Sequence, residues 1–157
     1  MDGGRPRASV AAALESSEVV WLSSVRPDGA PHVVPTWFVW DGTAIVVLSK
    51  PSAQKVRNLA RMPRAMVAIG DPGATFDVEL VEAVAHLDDA PFDATLLGRF
   101  ARKYTHQLRQ SAITIDQFVA TYSRAIRLEP TRWLGWGGPG WLTSSIVPGT
   151  ETSWTAP

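Results

Sequence analysis

Lys50, Lys55 and Arg57 place three cations within eight residues, beside the hydroxyls of Ser49 and Ser52 and the side-chain amide of Asn58. The cluster stands out because Lys103 is the only other lysine in the chain. Ammonium and guanidinium groups next to hydroxyl donors are the chemistry of anion binding, phosphate above all. The neighbouring residues supply a frame for it. Residues 44–48 read as an apolar strand, Pro51 stops its ladder, and Ser52 can cap a helix whose inward face would be Val56, Leu59 and Ala60. The first turn of such a helix leaves backbone N–H groups unpaired at the positive end of its dipole. The competing reading is a basic helix start that water alone solvates.

Other chemistries find little support. Ser52-Ala53-Gln54-Lys55 matches the Ser-x-x-Lys of penicillin-recognising enzymes, but no Ser-Asp-Asn or Lys-Thr-Gly partner follows. His32, His86 and His106 lack metal-ligand spacing and read as surface or hydrogen-bonded residues. Neither Gly-x-Ser-x-Gly nor a strand followed by Gly-x-Gly-x-x-Gly occurs, and Pro139 interrupts the glycines at 135–140. No catalytic residue and no metal site emerge. The absence of cysteine excludes thiolate nucleophiles, disulfides and zinc-thiolate or iron–sulfur sites. A net charge of zero argues against nucleic-acid binding, and 45% apolar residues argue against disorder.

The elements that must hold the cluster follow from periodicity. Residues 9–16 read as a short helix capped by Ser9, and residues 19–25 as a β-branched, aromatic strand. Arg26-Pro27-Asp28-Gly29 turns the chain into a second strand over 31–40, and Asp41-Gly42 turns it again into 44–48, an antiparallel meander. Pro35 cannot donate to a ladder, so it marks an edge or a bulge. After the basic helix, Met62-Pro63 ends it and strands over 64–70 and 75–87 follow, the latter with Glu79 and Glu82 on opposite faces. Leu96, Leu97, Phe100 and Tyr104 recur at helical spacing, with Arg99, Arg102 and Lys103 on the wet side. A shorter helix is expected over 114–121 and a last strand over 122–128, ended by Glu129-Pro130. At 157 residues the chain suits a single domain, with a core over about 15–136 and a tail at 137–157 whose tryptophans favour packing over disorder. The apolar run starting at Ser9 is broken by Glu15, too soon for a signal or a spanning helix, so a cytoplasmic protein is expected.

The order of these pieces resembles a known family. The Asp28-Gly29 turn, Pro31-His32-Val33-Val34-Pro35-Thr36-Trp37-Phe38, the Asp41-Gly42 turn, Ser49-Lys50, Lys55-Val56-Arg57-Asn58-Leu59 and Pro63-Arg64 are similar to the pyridoxamine 5'-phosphate oxidase-like flavin-binding split β-barrels. Within that superfamily the chain most resembles small actinobacterial enzymes that use the deazaflavin coenzyme F420. The resemblance implies a mainly β (α+β) fold, a six-stranded antiparallel split β-barrel with flanking helices, that forms a homodimer with the cofactor site at the subunit interface. It assigns the cofactor's phosphate tail to Lys50, Lys55 and Arg57, with Ser49, Ser52 and Asn58 beside them, and the ring to Val33, Val34, Pro35 and Thr36, flanked by Trp37. The implied activity is hydride transfer between F420 and an unsaturated or quinone-like small molecule. Alternatives on the same fold are an FMN-dependent oxidoreductase, a flavin or F420 carrier without turnover, and a haem binder using His32 or His86. The chain lacks the C-terminal arginine and histidine pattern of true pyridoxamine phosphate oxidases, so that activity is not expected.

Overall fold

In the computed structural model, residues 8–71 and 77–136 are described; residues 1–7 and 72–76 and the tail with Trp141 and Trp154 lie outside the described residues. The chain runs α1 (Ala8–Ser16), β1 (Val20–Val25), β2 (Pro31–Thr36), β3 (Val39–Trp40), β4 (Ile45–Ser49), α2 (Gln54–Arg61), β5 (Arg64–Asp71), β6 (Asp77–Asp89), α3 (Ala94–Lys103), α4 (Thr105–Gln110), α5 (Ile115–Thr121) and β7 (Arg124–Trp136). The strands form one antiparallel sheet in the order β2-β1-β5-β6-β7-β4-β3, curled into a half-barrel with flanking helices. No described helix is long and apolar enough to cross a membrane.

Two cores lie on either side of the sheet. Leu22, Val47, Val67, Val81, Ile126 and Leu128 fill the concave side, closed by α1 through Leu14 and by α2 through Val56 and Leu59. Val46 and Leu48 point the other way, onto Leu96, Phe100, Tyr104 and Leu108 of the helical insertion. This is why every residue of β4 is buried and why its sequence is continuously apolar rather than alternating. Burying Phe100 or Tyr104 alone contributes roughly 1.5–3 kcal/mol, enough to fix α3 against the strand.

The segment expected as one strand over 31–40 is two, which makes seven strands rather than six. The interruption has a local cause. The Tyr104 hydroxyl accepts from the Phe38 N–H at 2.7 Å, and its single proton is shared between the carbonyls of Phe38 at 2.8 Å and Glu18 at 2.9 Å. Phe38 therefore satisfies its backbone on a side chain instead of a ladder, and the chain crosses from one edge of the sheet to the other. The meander breaks at the same point: β1 and β2 pair at one edge, while β3 and β4 pair at the other and β4 joins β7. Both turns hold as expected, with Gly29 and Gly42 at φ of 83° and 104°. In the second turn Asp41 accepts from the N–H groups of Thr43 and Ala44, and its other oxygen takes Arg127.

Three further expectations change. The first helix begins at Ala8, which puts Ser9 inside it rather than at its cap. In α2 the cap position is Ala53 without a side-chain hydrogen bond, and Asn58, not Ala60, joins Val56 and Leu59 inside. Pro130 does not end the last strand. The β6–β7 register shifts between Glu82 and Ala83, so Pro130 sits at a bulge, Thr131 donates its hydroxyl to the Glu82 carbonyl at 3.1 Å, and pairing continues to Trp136. Replacing Tyr104 with Phe keeps the ring but strands the Phe38 N–H in a buried site. Urea denaturation is expected to show a loss of about 1–3 kcal/mol, and an unchanged midpoint would mean that the hydroxyl does not hold the crossing.

Candidate functional site

Pro35, Thr36, Trp37 and Leu48 meet Lys55 of α2 and Phe118 and Tyr122 of the insertion around a cleft of about 220 Å³. Its wall is a run of stacked rings. Trp37 lies 4.4 Å from Tyr104 at 8° and 5.5 Å from Phe118 at 26°, and Phe118 stacks on Tyr122 at 4.5 Å and 18°. Helix α5 contributes no buried residue; it is held by this stack and by the capping box in which Thr114 and Gln117 exchange hydrogen bonds. The stack thus gives the cleft an aromatic wall, with Lys55 in its lining and Lys50 beside Tyr122. Lys50 projects from the end of β4 with its ammonium 5.8 Å from the Tyr122 ring centre. Lys55 is half-buried, and burial pushes its ammonium below its ordinary range. A partly desolvated cation beside an aromatic wall fits a ligand that carries an apolar ring and an anionic group.

The lysine reaches the cleft because α2 is pinned from below. Asn58 is fully buried, accepts from the Gln54 amide at 2.8 Å and donates to the Ser24 hydroxyl at 3.0 Å. Arg61 holds the β1–β2 hairpin through the carbonyls of Val25 and Arg26, at 3.2 and 2.9 Å. Lys55 lies one turn before Asn58 on nearly the same side of α2, so fixing Asn58 sets the helix rotation that carries the lysine to the cleft.

The residues expected at the site divide accordingly. Pro35, Thr36, Trp37 and Lys55 line the cleft, and Lys50 stands over Tyr122. Arg57 turns back on its own helix start, donating to the Ser52 carbonyl and the Gln54 side-chain oxygen. Ser49 is buried with its hydroxyl on the Lys50 carbonyl at 3.3 Å, Asn58 is enclosed beneath α2, and Ser52 lies in the exposed turn before it. Val34 is half-buried, while Val33 is 53% exposed on the outer face of the sheet. His86 lies with its Nε2 3.4 Å from the Glu129 carboxylate, away from the cleft. Phe118 and Tyr122 were not foreseen. Phe118 was expected on the short helix over 114–121 and Tyr122 at the start of the last strand, whereas Tyr122 is the C-cap of α5, and nothing local tied either ring to Lys55.

An antiparallel half-barrel with a cleft at the strand crossing and a basic helix after β4 is the architecture of the flavin-binding split β-barrels. The sequence profile described as pyridoxamine 5'-phosphate oxidase matches residues 7–137, and the chain belongs to that family. A solved structure named an F420 reductase is similar at 25% identity with a TM-score of 0.64, covering 83% of this chain and 98% of its own. A conserved hypothetical protein of Mycobacterium tuberculosis is also 25% identical, with a TM-score of 0.66 over 97% and 99% of the two chains. The haem storage protein HutZ of Vibrio cholerae, at 16% identity and a TM-score of 0.65 over 86% and 96%, shares the fold. No curated protein matches the sequence significantly.

Lys55→Ala is expected to weaken binding of a phosphorylated flavin or deazaflavin at least about tenfold, near 1.4 kcal/mol, while Arg57→Ala changes it little. Isothermal titration of both variants checks this, and the reverse order would return the anion site to the helix start.

Proposed function

We propose that this chain is an F420-dependent oxidoreductase that transfers a hydride between the deazaflavin and an unsaturated or quinone-like small molecule. The observation that carries the reading is the junction of a stacked aromatic wall, Trp37–Phe118–Tyr122, with Lys55 in one cleft, Lys50 standing over its Tyr122 ring. The likeness to a protein named an F420 reductase supports the choice of cofactor. When bound, such a cofactor supplies the hydride chemistry, and the protein's share is binding, orientation and shielding from water. Lys50 and Lys55 would hold the phosphate, and Pro35 and Trp37 would border the ring. Tyr104 does not serve as an acid: burial pushes its phenol far above the ordinary range, and its oxygen is spent on backbone.

FMN is the second reading, favoured by one observation. Arg57 and Arg61 are engaged with backbone and with Gln54, which leaves two lysines at the cleft, a number suited to a single phosphate.

The reading includes a homodimer. At about 220 Å³ the cleft is smaller than the roughly 300–1,000 Å³ of a pocket that encloses a ligand of this kind. Pro35 lies at its border and pairs in register with Trp21, which is 54% exposed on the same outer sheet face as Val33 and Val25. A second copy on that face would cover this apolar surface and supply the missing wall.

Titration with F420 and with FMN, followed by tryptophan fluorescence, tests the cofactor: saturable quenching by F420 is expected, and tight FMN binding without an F420 response would reverse the assignment. Sedimentation velocity tests the assembly. The wild type is expected to run as a dimer and Trp21→Glu as a folded monomer with weakened cofactor binding, whereas a monomeric wild type would remove the dimer from the reading.

A further inference from the structure

The geometry points to a second ligand site: the cleft between α1, β3 and α3, where Arg99, Arg102 and Lys103 converge, takes the oxyanion of a small single-ring organic acid or phosphate ester whose apolar body lies against Trp40. The cleft measures about 250 Å³ and shares no lining residue with the one at Lys55. The three cations stand at i, i+3 and i+4 on one helix face, a spacing at which like charges repel, and none of them has a salt bridge among the described residues.

Two of the three are held in place rather than free in solvent, where periodicity put them. Arg99 donates through Nη1 to the Trp40 carbonyl at 3.1 Å, and Lys103 donates through Nζ to the Leu14 carbonyl at 3.0 Å, with its ammonium 3.5 Å from the Phe38 ring centre. Each keeps further N–H donors. Leu14, Val39 and Trp40 supply apolar lining, and Trp40 is braced edge-on by Trp133 at 6.1 Å. Glu15 is the one acidic residue among the described residues that line the cleft. Three cations stand against it, and burial brings the Lys103 ammonium down to about 8 although Glu15 and Glu18 pull the other way. An anion in the cleft would supply counter-charge to this cluster, and with Arg99 and Lys103 already held only Arg102 would have to be ordered.

The test uses the full chain at low ionic strength, with phenyl phosphate, phenylacetate and inorganic phosphate as probes, read by the NMR shift of the Trp40 indole N–H, which Trp40→Phe identifies. Saturable binding of one of the two aromatic probes in the sub-millimolar range is expected, and which one binds tells phosphate ester from carboxylate. Arg102 is exposed, so Arg102→Gln is expected to fold as the wild type and to weaken binding at least about tenfold. Lys55→Ala is expected to leave it unchanged. Absence of a saturable shift up to about 10 mM, indifference to Arg102→Gln, or loss with Lys55→Ala would overturn the site. Inorganic phosphate binding as tightly as phenyl phosphate would overturn the role of Trp40. F420 and FMN titrations of Arg102→Gln separate this result from the fate of the cofactor cleft.

Discussion

One buried hydroxyl ties the helical insertion to the sheet. Tyr104 takes the Phe38 N–H and divides its proton between two carbonyls, so the chain can leave β2 and begin β3 without orphaned backbone. A phenol can do this where an aliphatic residue cannot, because the same side chain buries an apolar ring and presents an oxygen at its tip. That ring then stacks on Trp37, and Trp37 on Phe118. The crossing that opens the barrel and the aromatic wall of the cleft are therefore consequences of a single placement. The burial that makes the contact strong also keeps the phenol protonated, which limits Tyr104 to a structural role.

A second constraint comes from beneath. Ser24, Asn58 and Gln54 form a small polar network beneath α2 that Gln54 extends outward to Arg57. It fixes α2 in rotation, which lets Lys55 be half-desolvated at the cleft without drifting into water. The carbonyl contacts of Arg61 do the same for the hairpin that carries Pro35. Arginines that look like cofactor ligands in the sequence are in part the framework that holds a lysine in place.

Asymmetry between the strands follows from what covers them. β4 is covered on both faces and is apolar throughout, whereas β1 alternates and leaves Trp21 and Val25 on the outer face. The bulge at Thr131 lets β7 continue past a proline and bring Trp133 against Trp40. Both departures from a regular sheet lie where the chain needs a side chain redirected rather than another ladder hydrogen bond.

What the sequence determined by itself is local and covalent. Hairpin turns at Asp28-Gly29 and Asp41-Gly42, the strand and helix periods, the Thr114 cap and the clustering of lysine are written in adjacent residues, because φ preference, period and charge act over a few positions. The family was legible too, since the order of those local pieces is itself a pattern. Tertiary structure decided which cations line the cleft and which fold back, because Arg57 and Lys55 differ by two positions on one helix and the packing of Asn58 chooses between their faces. It also decided that the 31–40 segment splits and that Phe118 and Tyr122 join Lys55. Those outcomes depend on a hydroxyl 66 residues away from Phe38, and no local preference encodes a partner that only folding brings near.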